Sequence, residues 1–222
     1  MNIYGDNIYE KQFSIREWGK YPSEEVIRFF MYAKGKLVST EIKALDLGCG
    51  VGACSWFMAK EGADVTAMDG APSGLNKVTK LSKEFSIDNG ISTVHGDITK
   101  PLTFIKHKFN VILDSYALYS NIEYQTINGF KECYDLLDND GFFLTCCFGK
   151  KTTGYGTGKQ LSKNTFTNIE GKLSNGGVQS FFSRDELDQI FCNIGYRISY
   201  YENIIEDRNG ELIEKHITCL SK

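Results

Sequence analysis

Beginning at residue 43, short apolar runs alternate along the chain with segments of helical periodicity. KALDL predicts a first strand, and ACSWFMAKEG a helix that stops at Gly62. DVTAMD predicts a second strand, a helix follows from Pro72 to Phe85, and ISTVHGD predicts a third strand. FNVILD is apolar almost throughout, the pattern of a strand covered on both faces. A helix from about Glu123 to Leu137 and a turn at Asn139-Asp140-Gly141 lead into a fifth strand, FFLTCCF. Such alternation implies a parallel sheet with right-handed crossovers.

The two ends depart from that rhythm. PSEEVIRFFMYAKG opens on Pro22 as a first-turn proline, with Glu24 and Glu25 at the positive end of a helix. Val26, Phe29, Phe30 and Tyr32 give that helix an apolar side. Near the other end, Ser183 and Glu186 form a capping-box pattern, and Gly195 stops the helix. GYRISYYENIIED and ELIEKHITCLSK then flank Arg208-Asn209-Gly210, and Asn-Gly between two β-rich runs is a hairpin signal. The last two strands are therefore antiparallel and the sheet is mixed. The expected organisation is one domain over residues 1–222, with a helical extension at 1–40 and an insertion at 149–182.

Composition narrows the classes. A chain of 222 residues can bury a core unaided. Its formal net charge of −3 argues against a protein that grips nucleic-acid phosphates. No apolar run approaches the roughly 20 residues of a membrane span. MNIYGDNIYEKQF lacks the apolar block of a signal peptide, so the cytoplasm is the expected compartment, with no nucleic-acid or membrane partner. Seven cysteines, an odd number without a C-x-x-C pair, read as reduced thiols, and with three scattered histidines no metal site is expected.

The chemistry concentrates in ALDLGCGVGA, residues 44–53. Gly48, Gly50 and Gly52 stand at alternate positions between a strand and a helix. Glycine there lets the backbone lie against a ligand, and the helix start offers free N–H groups to it. Gly48, Gly50 and Ala53 satisfy G-x-G-x-x-A, and Asp69 ends the second strand where a ribose-binding acid belongs. A nicotinamide-dependent oxidoreductase is thus one reading. Asp46 before the glycines, Asp97 closing the third strand and Asp114 closing the fourth favour another. Ligands of open α/β sheets lie at these carboxyl ends, and a ring of acceptors suits a cationic nucleoside with a free amino group and a ribose diol.

With D-L-G-C-G-V-G, Asp69, G-D-I, FNVILDSYALYS and the terminal hairpin, the chain resembles a class I S-adenosylmethionine-dependent methyltransferase. The resemblance is close over roughly residues 40 to 148 and looser beyond. It implies a doubly wound α/β three-layer sandwich whose seven-stranded mixed sheet runs 3-2-1-4-5-7-6 with strand 7 antiparallel. It implies S-adenosyl-L-methionine as cofactor and S-adenosyl-L-homocysteine as product. Gly48, Gly50 and Gly52 would approach the methionine part, and Asp46 would set the loop. Asp69, with Gly70 beside it, would accept both ribose hydroxyls. Asp97 would accept from the adenine amine with Ile98 flanking the ring, and Asp114 and Ser115 would lie beneath the sulfonium. Asp114, Tyr116 and Tyr119 are the candidate catalytic residues. Two other readings stand beside it: an NAD(P)-dependent oxidoreductase, for which no tyrosine–lysine dyad is evident, and a non-catalytic cofactor-binding protein of the same fold.

Methyl transfer from a sulfonium needs alignment more than activation, and a base only if the acceptor loses a proton as it attacks. His95 and His107 do not map to the methyl-bearing face, which leaves a Tyr, Asp or Glu. Asp114-Ser115-Tyr116-Ala117 stands where amino-methylating enzymes carry Asp/Asn-Pro-Pro-Tyr, so a small-molecule acceptor is expected, oxygen ahead of nitrogen. Trp18 and Tyr21, with Arg16, would contact it from an amino-terminal lid. The insertion adds Lys150, Lys151, Lys159, Lys163 and Lys172, which either meet a phosphate or carboxylate on the substrate or are ordinary solvated lysines. A monomer or homodimer is expected.

Overall fold

β1 (Ile42–Leu47) and β4 (Phe109–Ser115) pair in parallel at the centre of the sheet, and their near-complete burial accounts for their apolar sequences. In the computed structural model, which describes residues 6–16, 18–87 and 90–222, β2 (Ala63–Asp69) and β3 (Ile91–His95) extend the sheet beyond β1. β5 (Leu137–Gly149) extends it beyond β4, and these pairings too are parallel. β10 (Leu212–Ser221) lies antiparallel on β5, and β9 (Arg197–Asp207) antiparallel on β10. The order β3-β2-β1-β4-β5-β10-β9 is the seven-stranded order expected from the sequence, reversed strand included.

Alternation along the strands sends side chains to two cores. Ala44, Val65, Val111, Leu113 and Leu144 pack with Val26, Phe29 and Phe30 of α2 (Glu24–Lys36) and Met58 of α3 (Ala53–Lys60). Leu45, Ile112 and Phe143 point the other way, onto Phe130 of α5 (Glu123–Leu136) and Phe191 of α6 (Arg184–Ile194). α4 (Pro72–Glu84) closes the first face beside β2 through Leu75 and Val78. The Ser183–Glu186 capping box starts α6, with the Ser183 N–H donating to Glu186 at 2.9 Å. Asn209 and Gly210, with φ of 61° and 84°, make the predicted hairpin turn. Among the described residues no helix is long and apolar enough to cross a membrane.

Three expectations need adjustment. The Asn139-Asp140-Gly141 turn is absorbed into β5, where the register against β4 slips between Phe109 and Val111 and the extra residues bulge out of the ladder. β3 ends at His95, so Asp97 lies in the loop beyond it. The insertion is a folded unit: β6 (Lys159–Ser162), β7 (Thr165–Thr167) and β8 (Val178–Phe182) form an antiparallel meander. β8 pairs with Phe148 and Gly149, taking up β5 just past the point where β4 stops. Ser180 ties the meander to the sheet end by donating to the Asn121 carbonyl at 2.7 Å.

Candidate active site

β1 delivers the chain into the glycine loop, and β2 delivers Asp69 beside it. The N–H groups of Gly48 and Cys49 donate to the Met68 carbonyl at 2.8 and 2.9 Å, which bends the loop over the end of β2. Gly48 has φ 71°, and a Cβ there would lie 2.2 Å from the Cβ of Ala117, so only glycine fits. Gly50 donates its N–H to Asp69 Oδ2 at 2.8 Å, and Ala71 donates to Oδ1 at 2.8 Å. Two backbone donors therefore hold this carboxylate in one orientation.

Asp46, Gly48, Gly50, Asp69, Gly70, Asp97, Ile98 and Ser115 all line one cavity of about 500 Å³. Asp46 is buried and accepts from the Ser55 hydroxyl at 2.5 Å. Burial, reinforced by the charge of Asp69, pushes its carboxyl up to about 7. Asp97 accepts from both the N–H and the hydroxyl of Thr99, at 2.8 and 2.6 Å, in a turn at the cavity wall.

Two predicted site residues lie behind this wall instead of in it. Gly52 caps α3 with φ 90°, and a Cβ would meet Val78 at 2.9 Å, so it serves the packing of α3 against α4. Asp114 is fully buried, and its two oxygens accept from the N–H groups of Ala117 and Leu118, each at 2.9 Å, and from the Thr145 hydroxyl at 2.7 Å. Its burial pushes the carboxyl up to about 6. With three donors engaged, Asp114 shapes the loop that presents Ser115 and Tyr116, and does not itself face the cavity.

Tyr116 and Tyr119 do face it. Tyr116 takes φ 60°, a left-handed conformation that a bulky residue seldom adopts without being held there. Its ring stacks on Phe148 at 5.0 Å, and Tyr119 meets Phe148 edge-on at 4.8 Å. Burial raises both phenols above their ordinary range and keeps them neutral.

The amino-terminal segment forms the remaining wall. In α1 (Asp6–Ile15), Tyr9 and Phe13 line the cavity one helical turn apart. Tyr9 shares a 2.8 Å hydrogen bond with Ser120, and Phe13 lies 3.2 Å from where a Gly50 Cβ would stand. Glu10 accepts from the Ser73 N–H at 3.0 Å and from its hydroxyl, capping α4 from outside. Trp18 packs edge-on against Phe13 at 5.2 Å under the Arg16 guanidinium, and Tyr21, 71% exposed over the whole residue, packs on Trp56 at the mouth. Tyr9, Phe13 and Glu10 were not singled out in the sequence; the only signal was the i, i+4 aromatic pair.

The lysines of the insertion lie elsewhere. Lys150 pairs with Glu186 at 2.7 Å and lies over the Tyr155 ring, Lys163 pairs with Glu186 at 3.1 Å, and Lys151 stands 3.8 Å from Glu214. Neither Lys150 nor Lys151 lines the cavity. His95 bonds the Gly70 carbonyl at 3.1 Å and His107 packs on Phe109, so neither histidine lines it either.

A family model described as "Methyltransferase domain" matches residues 44–141, the span that holds the glycine loop, Asp69, Asp97 and Tyr116. Residues 44–141 thus carry a methyltransferase domain, and the fold and cavity around it support a class I S-adenosylmethionine-dependent methyltransferase. Solved structures share its fold at low sequence identity. The CcbJ methyltransferase from Streptomyces caelestis superposes with TM-score 0.68 at 15% identity, covering 96% of this chain and 95% of that one. A S-adenosylmethionine-dependent methyltransferase from Methanosarcina mazei gives 0.70 at 17%, with 86% and 96% covered. The 1,6-didemethyltoxoflavin-N1-methyltransferase of Burkholderia thailandensis, solved with 1,6-didemethyltoxoflavin and S-adenosylhomocysteine, gives 0.64 at 14%, with 90% and 77% covered. No curated protein sequence matches the chain. The cofactor of this methyltransferase is S-adenosylmethionine, and the cavity suits it: a glycine backbone without Cβ atoms, an oriented carboxylate at Asp69 and acceptors at both ends.

Proposed function

We propose that this methyltransferase acts on a small, uncharged or cationic molecule with a flat apolar body, at an oxygen in preference to a nitrogen. One observation carries the reading: among the described residues the cavity walls bear six aromatic rings, from Tyr9, Phe13, Trp18, Tyr21, Tyr116 and Tyr119, and no Lys, Arg or His. The acidic side chains among the described lining residues are Asp46, Asp69 and Asp97. An anionic acceptor would meet repulsion there, whereas a planar ring would gain stacking contacts and apolar burial. The paired lysines of the insertion give an anion no alternative at this cavity.

Asp97 and Ile98 would hold the adenine, Asp69 the ribose diol by charge-assisted hydrogen bonds, and Asp46 with Gly48 and Gly50 the methionine end. Ser115, Tyr116, Tyr9 and Phe13 line the same cavity and would meet the acceptor. When bound, the cofactor supplies a methyl group already activated on a sulfonium. The chain's own part is to align the acceptor and exclude water, and α1 serves both by closing over the glycine loop.

The test is direct. Purified protein is incubated with S-adenosylmethionine and panels of neutral phenols, heteroaromatic amines and aromatic carboxylates, and S-adenosylhomocysteine release is followed. Turnover faster with phenols than with heteroaromatic amines, and none with the carboxylates, supports the reading. Turnover confined to anions, or to nucleic acid or protein, overturns it.

A further inference from the structure

Glu25 is a buried carboxylate, 8% exposed, in the first turn of α2, with no cation paired to it among the described residues. Its hydrogen-bond partner is the Tyr116 hydroxyl, which donates to Glu25 Oε1 at 3.1 Å. Burying a carboxylate without a countercharge is costly, and such groups gather at functional sites. The thiols of Cys54 from α3 and Cys146 from β5 lie within reach of its charge, and burial keeps both neutral. Arg28, one turn along α2, is held by Glu202 at 2.7 Å. Glu25 also lies at the amino end of α2, where a helix attracts an acidic side chain.

Tyr116 joins this carboxylate to the cavity. Tyr116 both bonds Glu25 and lines the cavity with Ser115, and its strained backbone and its stack on Phe148 hold the ring. Because the phenol proton is directed to Glu25, the phenol oxygen keeps a lone pair for a donor arriving from the cavity.

We propose that Tyr116 and Glu25 form a two-residue proton path that selects an acceptor carrying an O–H or N–H and removes its proton, a reading that rests on the methyltransferase function above. While the acceptor atom takes the methyl carbon and the carbon–sulfur electron pair stays on sulfur, the acceptor's proton passes to the Tyr116 oxygen. Tyr116's own proton passes to Glu25, which ends as a neutral carboxylic acid and later releases the proton to water. Tyr116 touches the acceptor and is the catalytic residue of the pair. Glu25 acts through it.

The first test needs neither cofactor nor acceptor. In full-length protein carrying tyrosine labelled at Cζ with carbon-13, the Tyr116 resonance is assigned by its loss in Tyr116→Phe and followed by NMR from pH 3 to 8. It shifts with one carboxylate titration, that inflection vanishes in Glu25→Gln, and Glu25→Asp restores it. A flat Tyr116 signal, or an inflection that survives Glu25→Gln, overturns the path. The second test uses the fastest acceptor in the phenol and amine panels. Glu25→Gln lowers kcat on the order of 10²-fold with KM nearly unchanged and removes the acidic limb of the kcat–pH profile, while Glu25→Asp recovers part of the rate. A Glu25→Gln enzyme that keeps its kcat or its acidic limb overturns the path. Calorimetry with S-adenosylhomocysteine separates the two levels: failure of wild-type protein to bind it defeats the function itself, whereas binding with an uncoupled Tyr116 defeats only the path.

Discussion

The N–H of Gly50 donates to the carboxylate of Asp69 across 2.8 Å, joining the loop after β1 to the end of β2. This contact fixes the glycine loop and the carboxylate at once, since neither can turn away without breaking it. Asp69→Ala is therefore expected to weaken S-adenosylhomocysteine binding about 100-fold, from lost charge-assisted bonds of about 1.5–3 kcal/mol and a loosened loop. Isothermal calorimetry measures it. An affinity within threefold of wild type would show that Asp69 does not hold the ribose.

Asp114→Ala should behave in the opposite way. It orphans two buried backbone N–H groups and the Thr145 hydroxyl, so a stability loss of about 3 kcal/mol or more is expected. Urea unfolding reads this loss. Affinity for S-adenosylhomocysteine in the folded fraction should fall much less than in Asp69→Ala, and equal losses would contradict the assignment of Asp114 to the loop.

Burial raises both Asp46 and Asp114, to about 7 and about 6, from an ordinary carboxyl value of 3.8. A carboxyl raised on folding contributes stability that is full below about pH 4 and is lost as pH climbs through its folded value. His216, held neutral by burial while it bonds the Phe182 carbonyl, acts in the other direction and loses its contribution as pH falls below its ordinary 6.5. Asp46→Asn isolates the first effect. Between pH 4.5 and 8, wild-type stability should decline relative to Asp46→Asn by a few kcal/mol. Parallel urea-stability curves for the two proteins would mean that Asp46 is ionised throughout.

Replacing Lys150 and Lys151 with Met should leave cofactor affinity and acceptor KM within about twofold. Lys150→Met should lower the Tm modestly, because a partly exposed pair with Glu186 contributes roughly 1 kcal/mol or less. A tenfold rise in KM for the acceptor would return these lysines to the substrate site.

Much of this architecture is legible in the residues themselves. Strand periodicity, the Gly48–Gly52 loop, the Ser183–Glu186 capping box and the Asn209-Gly210 turn each depend on contacts within a few positions, and each appears where the pattern places it. Acids at strand ends are equally readable, because a parallel sheet brings all its carboxyl ends to one edge. Asp46, Asp69 and Asp97 meet there, 23 to 28 positions apart in the chain.

Partnerships between distant side chains were not legible. Asp114 has the same place in the pattern as Asp69, yet Thr145 and the loop backbone turn it inward. Lys150 and Lys163 form a basic run in the sequence but share Glu186 in the fold. Glu25 reads as a helix-start acid until α2 docks and places it 3.1 Å from Tyr116, 91 residues away. Local backbone preferences and hydrophobic period thus set the sheet, the cofactor loop and its ring of carboxylates from the sequence alone. Which carboxylate faces the cavity, which lysines are neutralised and which acid stands behind Tyr116 depend on packing between elements far apart in the chain, and only the tertiary structure decided them.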